Sequence, residues 1–140
     1  WLIEKKHIVS FLESKLTIIG LNARERTDFI TYWGPRMIAY ENVFVQFLFD
    51  ELYDEIATLK MTPRPESAKR IYVKFADGTN LIGKNISPQK IPQFKRKGLT
   101  YVEWGGIELP QIRLEGDIKF YIDGLSDTTR KLLLDMCNKS

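Results

Sequence analysis

Three carboxylates are the residues of this chain best placed for acid–base chemistry. Glu25 and Asp28 lie three residues apart in a segment with helical spacing, and Glu103 precedes Trp104 in a β-branched and aromatic run. An apolar neighbour can raise the pKa of a carboxyl group towards that of a general acid. Structural roles compete with a hydrolase site, because Glu25 fits a helix cap and Asp28 an ion pair with Arg24. Glu103 equally fits a strand position facing a cation, so catalysis ranks behind binding.

Nucleophilic and metal chemistry depend on two residues at opposite ends of the chain. These are the single histidine, His7, and the single cysteine, Cys137. A zinc site needs several clustered ligands, and a Ser-His-Asp or Cys-His site would have to use His7, which lies in a charged helical segment. The phosphate-binding loops GxxxxGK[ST] and GxGxxG do not occur. We predict no metal ion, no cofactor, an exposed structural His7 and a buried Cys137.

A basic segment, residues 84–97, offers a different chemistry. Between Gly78 and Val102 the sequence contains no acidic residue, and Phe94 and Tyr101 accompany the cations. A positive groove with stacking aromatic rings is what single-stranded nucleic acid requires. The segment lacks RNA-binding motifs, and a solvated loop or one that meets an acidic protein explains it equally well. Its cations are Lys84, Lys90, Lys95, Arg96 and Lys97.

Aromatic residues close to glycine or proline give the preferred interpretation. Aromatic side chains usually lie in the core, but those near a glycine or proline interruption tend to reach a surface, where Trp and Tyr dominate binding energy. We expect Trp104 to lie at the edge of a binding surface, where its strand ends and the two following glycines leave room for a partner's backbone. The candidate binding residues are Tyr32, Trp33, Tyr101, Trp104, Gly105 and Gly106.

Two N-terminal helices are predicted to form a hairpin. Apolar residues recur at helical spacing over 5–19, and Gly20 can end that helix in the left-handed conformation. Asn22 and Glu25 match a capping box, which begins a second helix that should end at Gly34-Pro35. We expect this hairpin to pack on the sheet with Trp33 in the interface.

Alternating or β-branched patterns predict short strands in the rest of the chain. Asp77-Gly78 indicates a hairpin that returns through Leu81 and Ile82. Residues 50–57 fit either a loop or one helical turn, 87–97 fit an ordered irregular excursion, and a helix capped by Ser126 closes the chain. The predicted strands are 43–49, 58–61, 70–75, 99–104 and 117–122.

Length and composition restrict the class of protein. The 140 residues are 44% hydrophobic and 28% charged with a net charge of +3, which is typical of one globular domain. The longest apolar run falls short of the ~20 residues of a membrane span. We predict an α+β fold: an N-terminal helical hairpin packed on a mostly antiparallel sheet, with a C-terminal helix, in a single domain over 1–140. The chain starts at Trp1, so an upstream leader or anchor could have been removed.

Three stretches resemble a group of bacterial proteins that have no established activity and are often predicted to be exported or lipid-anchored. The stretches are 21–37, which contains Phe-Ile-Thr-Tyr-Trp-Gly-Pro, 61–67, which contains Thr-Pro-Arg-Pro, and 97–106, which ends in Val-Glu-Trp-Gly-Gly. Gly34 stands where the group usually has leucine, and the loop at Asp77-Gly78 is shorter. The resemblance implies one compact domain and favours an exported or cell-envelope location.

The preferred function is a non-catalytic domain that binds a protein or peptide as part of a larger assembly. Nucleic-acid or polyanion binding through the basic segment is the alternative, and a carboxylate-dependent hydrolase ranks third.

Overall fold

A computed structural model describes residues 1–54 and 58–110 as two helices packed on a four-stranded sheet. The predicted α+β class is confirmed. The predicted strand at 117–122, the C-terminal helix and Cys137 lie outside the described residues. No helix in the described part of the chain has both the length and the apolar character of a membrane span. The elements are β1 (Leu2–Glu4), α1 (Ile8–Ile19), α2 (Ala23–Met37), β2 (Asn42–Phe49), α3 (Glu51–Asp54), β3 (Ser67–Asp77) and β4 (Thr100–Glu108), with 3-10 turns at Lys5–His7 and Thr79–Leu81.

The sheet has the order β1-β2-β3-β4 and is mostly antiparallel, as predicted. The pairs β1-β2 and β2-β3 are antiparallel, whereas β3-β4 is parallel. The predicted hairpin at Asp77-Gly78 is therefore wrong. The Asp77 carboxylate accepts hydrogen bonds from the N–H and hydroxyl of Thr79, at 2.9 and 2.6 Å. This local turn leads the chain away from β3, and a parallel partner strand requires a long connection. The predicted strand at 58–61 is also wrong, since these residues are irregular.

The helical hairpin forms as its capping signals predict, apart from its end. Gly20 ends α1 with φ 100°. The Asn22 side chain accepts from the Glu25 N–H at 2.9 Å, and the Glu25 side chain accepts from the Asn22 N–H at 2.8 Å. The predicted end at Gly34-Pro35 is wrong, because α2 continues to Met37. Gly34 has no Cβ to crowd the proline ring. Beyond it the Ile38 N–H bonds to the Gly34 carbonyl at 2.9 Å, so the helical hydrogen bonding resumes.

The main core lies between the two long helices and one face of the sheet. As predicted, alternate residues of β3 point to this face, and those of β2 do the same, so apolar side chains meet the stripes of α1 and α2. Burying one such side chain contributes about 1.5–3 kcal/mol. The opposite face of the sheet, here named the second face, carries a smaller apolar cluster. The main core contains Ile8, Leu12, Leu16, Ile19, Phe29, Trp33, Met37, Val43, Val45, Phe47, Ile71, Val73 and Phe75; the smaller cluster contains Phe44, Ala76 and Leu81.

The long connection between β3 and β4 is ordered and irregular over 87–97, as predicted. The Gln89 side-chain amide donates to the Phe47 carbonyl at 2.6 Å and accepts from the Phe47 N–H at 3.0 Å. Gln89 thereby pairs the backbone N–H and C=O of Phe47, which lies beyond the part of β2 that pairs with β1. Further along, the Phe94 N–H donates to the Ile19 carbonyl at 3.0 Å. The connection therefore joins an edge of the sheet to the C-terminus of α1.

Candidate functional site

The fold divides the predicted aromatic set between the two faces of the sheet. In β4, Trp104 points towards the helices, with its ring centroid 5.5 Å from that of Phe29 and 5.8 Å from that of Tyr32. Tyr101 lies three residues earlier and points to the second face, because strand side chains alternate. Burial is the main cause that raises the pKa of Tyr101, and the neighbouring Glu103 carboxylate raises it further. The structure brings Tyr32, Trp33 and Trp104 together and separates Tyr101 from them.

Trp33 lies in the interface between the helical hairpin and the sheet, which is the packing predicted for it. Its side chain is only 7% exposed, and its ring centroid lies 5.8 Å from that of Phe75. The buried indole N–H has no hydrogen-bond acceptor among the residues that the structure describes. Trp33 therefore packs beneath Tyr32 in the core, and its ring is not accessible to a partner.

Tyr32, Arg36 and Trp104 form the accessible part of the set, here named the aromatic patch. Tyr32 is 46% exposed, whereas Trp104 is partly buried. The Arg36 guanidinium lies 3.9 Å from the Tyr32 ring centroid and donates to the Tyr32 carbonyl, which holds both side chains in place. Tyrosine, tryptophan and arginine are the residue types that dominate binding hot spots. The patch thus presents a preordered surface of suitable composition.

The aromatic patch adjoins the outer edge of β4, which has no partner strand within the described ranges. The Leu99 carbonyl accepts from the Ser67 N–H at 3.3 Å, and the Leu109 N–H donates to the Phe75 carbonyl at 2.8 Å. Odd-numbered residues therefore direct their backbone groups to β3, because the direction alternates along a strand. The even-numbered residues direct theirs outwards. We name this row the β4 edge; it consists of the N–H and C=O groups of Val102, Trp104 and Gly106.

The glycine pair does not end the strand, so this expectation is wrong. β4 continues through Gly105 and Gly106 to Glu108. A Cβ on Gly105 would lie 2.7 Å from the Tyr53 hydroxyl oxygen. A Cβ on Gly106 would lie 2.6 Å from the Val73 carbonyl oxygen and 2.7 Å from Cζ2 of Trp33. The pair makes room for the protein's own side chains and backbone.

The basic segment is exposed, but the two rings expected to stack on a nucleic acid are only partly accessible. Phe94 is half-buried, and Tyr101 faces the second face of the sheet. Arg96 is engaged with the Glu25 carboxylate and with the Gly20 carbonyl. The other four cations, Lys84, Lys90, Lys95 and Lys97, are exposed and take part in none of the ion pairs of the described residues.

The three carboxylates do not meet. Glu25 serves the cap of α2 and pairs with Arg96, while Asp28 is exposed on the same helix. Glu103 lies on the second face, where its Oε2 accepts from Arg70 Nε at 2.6 Å. Within 1–54 and 58–110, no group of three or more His, Cys, Asp or Glu residues is placed to hold a metal ion.

Models of known protein families, curated proteins and solved structures were compared with the chain. None of them matches it. The resemblance of residues 21–37, 61–67 and 97–106 to a bacterial group stays a prediction, and function is inferred from geometry.

A polar cluster on the second face was not predicted. Arg70 is only 6% exposed; its guanidinium contacts Glu103 and Asp54 and lies 4.2 Å from the Tyr53 ring centroid. Burial lowers the pKa of Arg70, but the hydrogen bonds to the two carboxylates outweigh it and leave the pKa raised. The alternation of β3 places Arg70 on this face correctly. The alternation alone does not indicate that side chains on this face are buried.

Lys74 is the most unusual member of the second face. It is 5% exposed and has no hydrogen bond or ion pair with a described residue. Burial lowers the pKa of its ammonium group from 10.5 to about 8. Desolvation disfavours the charged form, and no carboxylate of residues 1–54 or 58–110 forms an ion pair that opposes this effect.

We expect the free energy of unfolding to rise by about 2 kcal/mol from pH 8 to about pH 10. In this window the unfolded chain keeps the Lys74 proton with its ordinary pKa of 10.5, whereas the folded chain loses it with a pKa of about 8. The unfolded state therefore binds more protons, and stability increases with pH. Urea unfolding across the window measures the slope.

Other shifted groups overlap only the two ends of this window. Burial lowers the pKa of the Trp1 amino group from 8.0 to about 6, so this group makes stability rise with pH mainly between about pH 6 and pH 8. Burial raises the pKa of Tyr53 and Tyr72, which lowers stability only at pH values where the unfolded tyrosines ionise, near 10. The variant Lys74→Met should lack the rise of about 2 kcal/mol from pH 8 to about pH 10. A flat profile in the parent protein would contradict the assignment.

Proposed function

We propose that this chain is a non-catalytic binding domain that takes up an extended peptide segment of a partner protein along the β4 edge, with the aromatic patch as its anchor. In strand addition, main-chain hydrogen bonds supply affinity and contacts to alternate side chains supply specificity. The β4 edge offers the main-chain hydrogen-bonding groups, and the aromatic patch offers a surface for the peptide's side chains.

Trp104 carries the proposal, because it belongs to both features. Its ring rests on Phe29 and Tyr32, while its N–H and C=O point outwards from the sheet. A peptide bonded to this backbone would place alternate side chains beside Tyr32 and Arg36. The ring contacts and the Arg36 stacking are already formed, so little side-chain entropy would be lost on binding.

Polyanion binding through the basic segment is a second candidate, supported by the exposure of Lys84, Lys90, Lys95 and Lys97. These lysines lie on an irregular connection whose one aromatic ring, that of Phe94, is half-buried, so we expect weak association with single-stranded oligonucleotides. Such binding would fall steeply with salt. A tight complex at ~200 mM salt would favour this candidate over peptide binding.

We expect Trp104→Ala to weaken peptide binding roughly tenfold or more. Peptides selected from a random display library against the parent protein would serve as ligands, and calorimetry would measure their affinities. N-methylation of the peptide residues that face β4 should also abolish binding, because it removes the N–H groups that strand addition uses.

Val9→Ala is the matched control, since Val9 is an exposed apolar residue on α1. It should leave affinity unchanged. Thermal melts establish the folded fraction of each variant. Unchanged affinity in folded Trp104→Ala would contradict the proposal, as would a library that yields no binder. A large fall in melting temperature with binding intact would show that Trp104 serves the core.

A further inference from the structure

Three polar side chains lie next to one another on the second face of the sheet. Gln46 and Lys74 are directly opposite in the antiparallel register of β2 and β3, and Tyr72 lies two residues before Lys74 on the same face. Directly opposed side chains have Cβ atoms about 5 Å apart. None of the three makes a hydrogen bond or ion pair with a described residue.

Within the described ranges no acidic group compensates the charge of Lys74, in contrast to that of Arg70. Arg70 points to the same face and contacts the carboxylates of Glu103 and Asp54. Lys74 is as deeply buried as Arg70 but contacts no carboxylate in the described chain. A buried ammonium without a counter-ion is costly, and a bound anion would remove that cost.

The neighbouring groups complete a set of hydrogen-bond donors. Burial raises the pKa of Tyr72, so its hydroxyl stays protonated and can donate. The Gln46 amide can donate as well. Ile107, in register with Lys74 on β4, is 41% exposed and supplies an apolar border that solvent reaches.

We propose that Gln46, Tyr72 and Lys74 form a binding site for the carboxylate group of a small monoanionic ligand. One positive charge that no described carboxylate balances matches a monoanion. A phosphate dianion would call for further cations, and the nearby Arg70 is occupied by two carboxylates. The apolar part of the ligand would lie against Ile107. The site is on the face opposite the aromatic patch and is independent of peptide binding.

Benzoate, acetate and inorganic phosphate are the probes for a titration followed by NMR at constant ionic strength near neutral pH. We expect saturable binding of benzoate. Lys74→Met should weaken it roughly tenfold or more, because a hydrogen bond to a charged group is lost. Tyr72→Phe should cause a smaller loss. Lys60→Met removes the same charge from an exposed position outside the basic segment and should leave the affinity unchanged.

A second measurement on the parent protein is independent of whether the variants fold. A bound carboxylate favours the charged amine, so saturation with benzoate should raise the Lys74 pKa from about 8 towards 10.5. The carbon-13 shift of its ε-methylene reports this change. Three results would each overturn the proposal: no saturable carboxylate binding, unchanged affinity in folded Lys74→Met, or tighter binding of phosphate than of benzoate.

Discussion

Trp33→Ala should lower the free energy of unfolding by roughly 3–5 kcal/mol. The indole lies between α2 and the sheet, 7% exposed, with Phe75 on one side and the bare backbone of Gly106 on another. Gly106 has no side chain that could move into the space, so the variant would keep a cavity. Denaturant midpoints compared at equal m-values measure the loss.

Two further variants show whether the stability lost in Trp33→Ala comes from the burial of Trp33 or from loss of an aromatic ring as such. Tyr32→Ala removes an aromatic side chain from the preceding position of the same helix. Because Tyr32 is 46% exposed, this variant should lower the free energy of unfolding by about 1 kcal/mol or less. Trp33→Phe keeps a ring in the interface and removes a buried N–H that no described residue accepts, so it should retain most of the stability. Equal midpoints for Trp33→Ala and the parent would place Trp33 at the surface and contradict the packing.

Local capping signals predicted the helical hairpin because the interactions behind them are local. The bonds between Asn22 and Glu25 join residues three positions apart, and Gly20 needs only its own backbone freedom. Pro35 was misleading because its effect depends on the residue before it. With a glycine at position 34, the helix can pass the proline.

Strand pairing depended on contacts that the local sequence does not contain. Asp77-Gly78 is a good hairpin signal, yet Asp77 bonds to Thr79 and the parallel partner of β3 comes much later, at Thr100. Proximity of Tyr32 to Trp104 follows only from helix-on-sheet packing. The separation of Tyr101 from Trp104 was predictable, since strand residues three apart lie on opposite faces.

Gly106→Ala should lower the free energy of unfolding by about 3 kcal/mol, the upper part of the usual range for overpacking. In most strands the same change is favourable by about 0.5–1 kcal/mol, because glycine loses more backbone freedom on folding. Here the new methyl group would lie 2.6 Å from the Val73 carbonyl oxygen and 2.7 Å from Cζ2 of Trp33. The first atom belongs to the central strand and the second to a buried ring, so neither can yield cheaply. Urea unfolding gives the value.

Gly105→Ala is the matched control, one residue away on the same strand but on the second face. Its methyl group would meet the Tyr53 hydroxyl at 2.7 Å, the far end of a side chain that can move, so its cost should be clearly smaller. If the glycines instead admitted a partner's backbone, both alanines would leave stability unchanged and weaken binding alike. A stability of Gly106→Ala equal to that of the parent would therefore contradict internal packing. In a Trp33→Ala background Gly106→Ala should cost less, because Trp33→Ala removes the indole ring that the new methyl group would meet.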